Sequence, residues 1–260
     1  MAASRQSADL LTVLSVCPIL IGSLNVVHIQ ALMAKSQQHI TVRPAIEADA
    51  DECGRICYEG FRAINERHGF NPVFPSVEVA TRRMAAFIRH PSVFAVVAES
   101  GNGGGGIVGF NFLSERDPVR AIGPIVIDPA VQARGIGRRL MEAVLEHARG
   151  ARGIRLLQEA YNMQSFSLYA SLGFDARELF VVLEGMPKIT EPEPKWQIRP
   201  LTEADLQECE SLHERVHGYP RTNELREALT TMAPDCGYQG RAGLRLFGSA
   251  DELAGQSRCR

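Results

Sequence analysis

Two stretches hold residues whose types and spacing could do chemistry. The first is Ile125–Ala148, IVIDPAVQARGIGRRLMEAVLEHA. An apolar strand stops at Asp128-Pro129, a turn carries Gly135 and Gly137, and a helix begins at once. Glycines let the backbone approach a ligand, and the N–H groups of a first helical turn have no intrahelical acceptor. Such a turn can take a phosphate or pyrophosphate, helped by the helix dipole and by Arg134, Arg138 and Arg139. The same residues also describe a plain strand-to-helix turn with its arginines in water. The spacing misses the GxGxxG dinucleotide pattern, which wants an acidic residue about 20 positions on. The second stretch is Asn162–Phe174, NMQSFSLYASLGF. Alone, Asn162 reads as a helix cap and Tyr169, beside Leu168 and Phe166, as a core tyrosine.

In order and spacing, QxxGxG followed by NxxxxxLYxxLGF resembles the GNAT N-acetyltransferases, and the resemblance covers about Thr41 to Gly185. It implies that acetyl-CoA is the co-substrate, with no metal. The strand Ile125, Val126 and Ile127 would offer its backbone to the pantetheine arm and polarise the thioester carbonyl. The loop Ala133, Arg134, Gly135, Ile136, Gly137 and Arg138 would hold the pyrophosphate. Asn162 would hydrogen-bond the cofactor, and Tyr169 falls where the family carries a proton donor to the departing thiolate. A primary amine would attack directly in a ternary complex, the protein supplying positioning, backbone hydrogen bonds and proton transfer. The sequence departs from the family at the general base. Some members carry Glu five residues before the motif Asn, where this chain has Leu157. Glu159, two residues on and sharing a face with Leu157 along a strand, is the base to test; a solvated or paired carboxylate is its other reading. Glu99, Glu115 and Asp117 are weaker candidates. The alternative function is a non-catalytic acyl-CoA-binding or interaction module with the same fold.

The elements that must position these residues are legible in outline. HITVRP reads as a strand, Ala48–Glu66 as a helix, RHGFNPVFPS as a loop, and Val77 to Arg89 as a second helix. SVFAVVAES and GIVGFNFLSE are strands around the loop GNGGGG, and VRAIGPIVIDP is a third. Arg134–Arg149 is a helix with Leu140, Val144 and Ala148 on one stripe. GIRLLQEA is a strand, Met163–Leu172 a short helix and ELFVVLEG a last strand. The pattern predicts an α/β (α+β layered) domain, a central mixed sheet flanked by helices. The loop His68–Ser76 lies where this fold shapes an acceptor pocket, and Phe70, Pro72 and Phe74 suggest an apolar or aromatic wall.

An internal repeat sets the domain organisation. VRPAIEADADEC at Val42–Cys53 aligns without gaps to IRPLTEADLQEC at Ile198–Cys209, sharing Arg-Pro, Glu-Ala-Asp and Glu-Cys. Pro- and charge-bearing residues separate the copies. We therefore expect an N-terminal extension at 1–40, an acetyltransferase domain at 41–186, a linker at 187–195 and an incomplete second copy at 196–260. An incomplete copy exposes strand edges and apolar surface, which predicts self-association.

Composition bounds the rest. The chain of 260 residues has 45% hydrophobic content, enough for a real core. With 28 Lys+Arg against 30 Asp+Glu, its net charge of −2 predicts no long-range attraction to nucleic acid or anionic membrane. Six cysteines form no CxxC pair and no framework, which points to a reducing, cytoplasmic compartment. Cys53 and Cys57 read as small core residues, and His213 and His217 as solvent-facing helix positions. Leu10–Ala34 carries no Asp, Glu, Lys or Arg, the length of a signal peptide or a single span. Pro18, Gly22 and Asn25 interrupt it, no small-x-small site follows, and Met33 opens MAKSQQHITVRP. We read the segment as a dispensable or targeting extension and expect no membrane partner.

Overall fold

A computed structural model describes residues 40–101, 105–131, 135–179 and 199–231, all within the unit that begins at His39. Its centre is a five-stranded sheet in chain order: β1 (Ile40–Pro44), β2 (Val93–Ser100), β3 (Ile107–Ser114), β4 (Val119–Ile127) and β5 (Gly153–Leu156). The first three junctions are antiparallel, and β4 runs parallel to β5. A parallel junction needs a crossover, which helix α3 (Ile136–His147) supplies. Helices α1 (Ala50–His68) and α2 (Val77–Arg89) precede β2, and α4 (Met163–Ser171) follows β5. The expected mixed sheet with flanking helices is present. The expected last strand, ELFVVLEG, falls from Phe180 onward outside the described residues, as do Met1–His39 and Gly103 with its neighbours in the glycine loop. No helix among the described residues is long and apolar enough to cross a membrane.

Strand alternation builds two cores, one on each face of the sheet. Val96, Ala98, Val108 and Ile122 pack with Ile136, Leu140, Met141 and Val144 of α3 and with Tyr169 of α4. Ala95, Val97, Phe110, Phe112 and Val126 pack with Cys53, Ile56 and Cys57 of α1 and with Ala80, Met84 and Phe87 of α2. Because both faces are covered, β2 and β3 read as nearly continuous apolar runs. Cys53 and Cys57 are the core residues expected; burial pushes each thiol up to about 12.

The repeated sequence has a repeated local structure. Arg43 holds Asp49 through a two-pronged contact of 2.7 and 2.9 Å, and the Asp49 carboxylate accepts the Ile46 N–H at 2.8 Å. Glu47–Asp49 forms a tight turn, which is why α1 begins at Ala50 and not at Ala48. At the second Arg-Pro and Glu-Ala-Asp segment Arg199 holds Asp205 at 2.6 and 2.5 Å, and Asp205 accepts the Thr202 N–H at 2.9 Å. Helix α5 (Leu206–His217) follows, then α6 (Thr222–Thr231). Helices α1 and α5 both end on a left-handed glycine, Gly69 and Gly218. Arg43 also bonds Glu99 of β2, and it lies on a strand; Arg199 does not.

Helix α6 is tied to the five-stranded sheet. Asp117, in the β3–β4 turn, accepts the N–H groups of Asn223 and Glu224 at 3.1 Å each, capping the first turn of α6. Arg155 of β5 places Nη2 2.8 Å from both oxygens of Glu224, which also binds Arg221 at 2.5 Å. Glu227 pairs with Arg116 and with His90. His213, expected to face solvent, is buried, with Nδ1 2.6 Å from the Tyr219 carbonyl oxygen.

Acid should weaken these ties. Burial opposes ionisation of Asp49, but the Arg43 guanidinium and the Ile46 N–H outweigh it and hold the carboxyl below its ordinary range. The Arg116 guanidinium, against burial, does the same for Glu227. A carboxylate whose pKa is lowered by folding stabilises above its unfolded pKa, and that stability is lost as pH falls through the folded value. The melting temperature should therefore be flat above about pH 5 and drop below about pH 4, and Asp49→Asn should flatten the drop. Differential scanning fluorimetry across that range checks it; an unchanged acid limb in Asp49→Asn contradicts the assignment.

Candidate functional site

The sheet opens at the end of β4. Pairing with β5 runs from Val119↔Gly153 to Ile122↔Leu156 and stops there. Strand β4 continues to Ile127, still paired to β3 through Ile125↔Asn111, Val126↔Phe110 and Ile127↔Gly109. A cis peptide joins Gly123 and Pro124 where the two strands part. The Asp128 N–H donates to the Val108 carbonyl at 2.9 Å. Antiparallel pairs alternate in hydrogen bonding, so Ile125 and Ile127 direct their backbone groups to the other edge, into the opening. Val126 turns its side chain to the α1 core.

The opening is closed at one end by the start of α3. Gly135 takes a left-handed backbone (φ 75°) as the residue before the helix, a conformation costly for other residues. The Gly135 carbonyl receives the Arg139 N–H at 3.2 Å, leaving the N–H groups of Ile136, Gly137 and Arg138 as the first-turn donors. A Cβ on Gly137 would lie 3.2 Å from Ile127 Cδ1 and from Leu168 Cδ2, so α3 passes β4 and α4 closely here and any side chain would require those two to give way. Arg138 Nη2 donates to Ser171 Oγ at 2.6 Å, linking the two helices. Ala133 and Arg134 lie outside the described residues.

Asn162 caps α4 with its side-chain oxygen on the Ser165 N–H at 3.2 Å. Tyr169 is buried in the α3-side core, edge-on to Phe174 with ring centroids 6.2 Å apart. Burial raises the Tyr169 pKa, and Ser165 opposes this through a hydrogen bond; the phenol is therefore protonated at neutral pH.

Glu159 is exposed and lies beyond the strand. Strand β5 ends at Leu156, so the shared strand face expected for Leu157 and Glu159 does not exist. Glu159 instead sits against the Tyr161 hydroxyl. Burial, then the Glu159 charge, pushes that phenol up to about 12. Tyr161 donates to Asn65 Oδ1 at 2.9 Å, and its ring stacks with His68 at 4.6 Å and Phe70 at 4.7 Å. Of the aromatic wall expected in the loop after α1, Phe74 is a core residue against Phe61, whereas Phe70 is 54% exposed.

Sequence reasoning missed Tyr161 and Asn65, and it missed Arg55 too. Arg55 of α1 is held by Glu52 and Glu59 and donates to Asp128 at 2.7 Å, while Asp128 accepts the Ala130 N–H at 2.9 Å. The pair pins the start of the loop between β4 and α3. Only a carboxylate directly after the apolar strand, Asp128, hinted at it.

The acetyltransferase (GNAT) family model matches residues 61–174. N-alpha-acetyltransferase RimI of Mycobacterium tuberculosis is 31% identical over 144 residues, covering 55% of this chain and 82% of that protein. The chain belongs to the GNAT acetyltransferase family. Mycothiol acetyltransferase of Nocardia farcinica is 39% identical over 74 residues, 26% of this chain. The alignment spans only 24% of the length of that relative. A solved GNAT family acetyltransferase from Brucella melitensis, in complex with acetyl-CoA, is 24% identical over 54% of this chain and 85% of its own, with a TM-score of 0.41.

Proposed function

We propose that this protein is an acetyl-CoA-dependent N-acetyltransferase that moves an acetyl group to a primary amine by direct attack in a ternary complex. The observation that carries the reading is the parting of β4 from β5 beside a helix start whose glycine touches both β4 and α4. Acetyl-CoA supplies the thioester carbonyl that the amine attacks. Ile125 and Ile127 turn backbone groups toward its path while Val126 between them holds the strand to β3 and the α1 core, and the N–H groups of Gly135, Ile136, Gly137 and Arg138 receive the pyrophosphate, with Ala133 and Arg134 preceding them. Asn162 combines its cap with a cofactor contact. Glu159 takes the ammonium proton, the amine nitrogen bonds the carbonyl carbon as the C–S bond breaks, Tyr169 protonates the departing thiolate, and the second proton lost from nitrogen restores the phenol. We also propose that the segment from residue 196, after the linker at 187–195, is related by duplication to the start of the domain. Support comes from the shared Arg-Pro and Glu-Ala-Asp cap.

Thermal unfolding with and without millimolar acetyl-CoA, with NAD as comparison, tests the reading. Ligand at 100 times its dissociation constant stabilises by about 2.7 kcal/mol, roughly 5–10 °C for a domain of this size. A shift with acetyl-CoA alone is expected; no shift in a cooperatively melting sample overturns it. Gly137→Val should drive β4 and α4 apart and weaken acetyl-CoA at least about tenfold, read by titrating the same shift. One observation favours the non-catalytic alternative: Leu157 stands where a base carboxylate is carried elsewhere in the family. Acetyl-CoA binding without thiol release across an amine panel would establish that alternative.

A further inference from the structure

Three pieces of chain meet on the α1 side of the opening. Helix α1 crosses the tail of β4, close enough that a Cβ on Gly60 would lie 2.4 Å from Val126 Cγ1. Its last turn carries Asn65 and His68, and the loop beyond it carries Phe70. Residues 157–161, which leave β5 at the opening, bring Tyr161 to the same place, with Glu159 beside its hydroxyl. Tyr161 joins the pieces: its hydroxyl bonds Asn65 and its ring stacks with both His68 and Phe70. The Phe70 and Tyr161 planes are within 18° of each other. With Phe70 54% exposed, the stacked Phe70 and Tyr161 rings make the rim an apolar, planar shelf. Glu159 lies one ring away, beside the Tyr161 hydroxyl, and no Lys, Arg or His pairs with it among the described residues.

Resting on the N-acetyltransferase reading, we propose that the acceptor is a primary arylalkylamine, its ring seated on Phe70 and its ammonium at Glu159. An aromatic face favours an offset-stacked ring, and a carboxylate without a basic partner favours a cation. A short alkyl chain spans the one ring that separates the two. A polyanionic acceptor matches neither half of the shelf, and a wholly polar amine matches only the carboxylate.

Phenethylamine and propylamine carry the same amine and differ in the ring, so they are the probes. With acetyl-CoA, phenethylamine should show kcat/KM at least about tenfold higher, read by thiol release. It should also raise the melting temperature at millimolar concentrations where propylamine does not. Phe70→Ala should bring the preference below about twofold while leaving the acetyl-CoA shift unchanged. Equal use of the two amines, a preference that survives Phe70→Ala, or no melting shift with phenethylamine overturns the proposal. An acetyl-CoA shift with no phenethylamine effect fails the shelf alone. Absence of the acetyl-CoA shift fails the N-acetyltransferase reading, and the amine melts still decide the shelf.

Discussion

Replacing Glu224 with alanine should lower the unfolding free energy by about 3–5 kcal/mol, the usual cost of stripping one partner from a buried ion pair. Glu224 is 7% exposed and takes Arg155 and Arg221 together; its loss leaves guanidinium charge in a site that water reaches poorly. Arg155 already has Nε without a hydrogen-bond partner, so it has little means of compensating. For a domain of this size the change corresponds to roughly 10 °C in melting temperature. The triple variant Arg155→Met, Arg221→Met, Glu224→Leu should recover much of the loss, because apolar replacement of the carboxylate and both guanidinium groups removes the desolvation penalty along with the attraction. A single shifted transition would mean that α5 and α6 melt with the sheet. A Glu224→Ala melt within about 1 kcal/mol of the parent would show that the contact carries no net stability.

Tyr169→Phe should lower kcat by about 10²-fold or more, the range for loss of a positioned proton donor, with KM for acetyl-CoA nearly unchanged. The variant keeps the ring against Phe174 and the α3-side core, so its stability should fall by no more than about 1 kcal/mol, the net worth of one hydrogen bond. Burial holds the phenol protonated through neutral pH, which suits a donor and not a base. Full turnover in Tyr169→Phe would return the residue to a packing role.

What could be read from the sequence was what depends on neighbours in the chain. Helix α2 occupies Val77–Arg89 as expected, because the Ser76 side chain accepts the Val79 N–H and an apolar stripe follows. Gly135, Gly137 and Asn162 were visible because a turn and a cap are built from consecutive residues. The early end of β5 was not visible: GIRLLQEA continues to look like a strand, and only the departure of β4 decides where pairing stops. That same departure removed the argument for Glu159 from alternation. The ties between Tyr161 and Asn65, Arg55 and Asp128, and Arg155 and Glu224 join residues 96, 73 and 69 positions apart. Periodicity says which face such a side chain occupies and nothing about the partner it meets. Arginine and glutamate on a strand and a helix read as solvated surface until the helix is set down against the strand.

The two Arg-Pro caps bear on how the chain begins to fold. At Arg199–Asp205 every bond of the cap closes within seven consecutive residues. Closing so short a loop costs little chain entropy, whereas nucleating a helical turn is ordinarily the unfavourable step. The cap at Arg43–Asp49 has the same bonds and gains Glu99 only when β1 meets β2. The first turns of α1 and α5 are thus expected to form ahead of the sheet, as local seeds on which the slower long-range strand pairing then condenses.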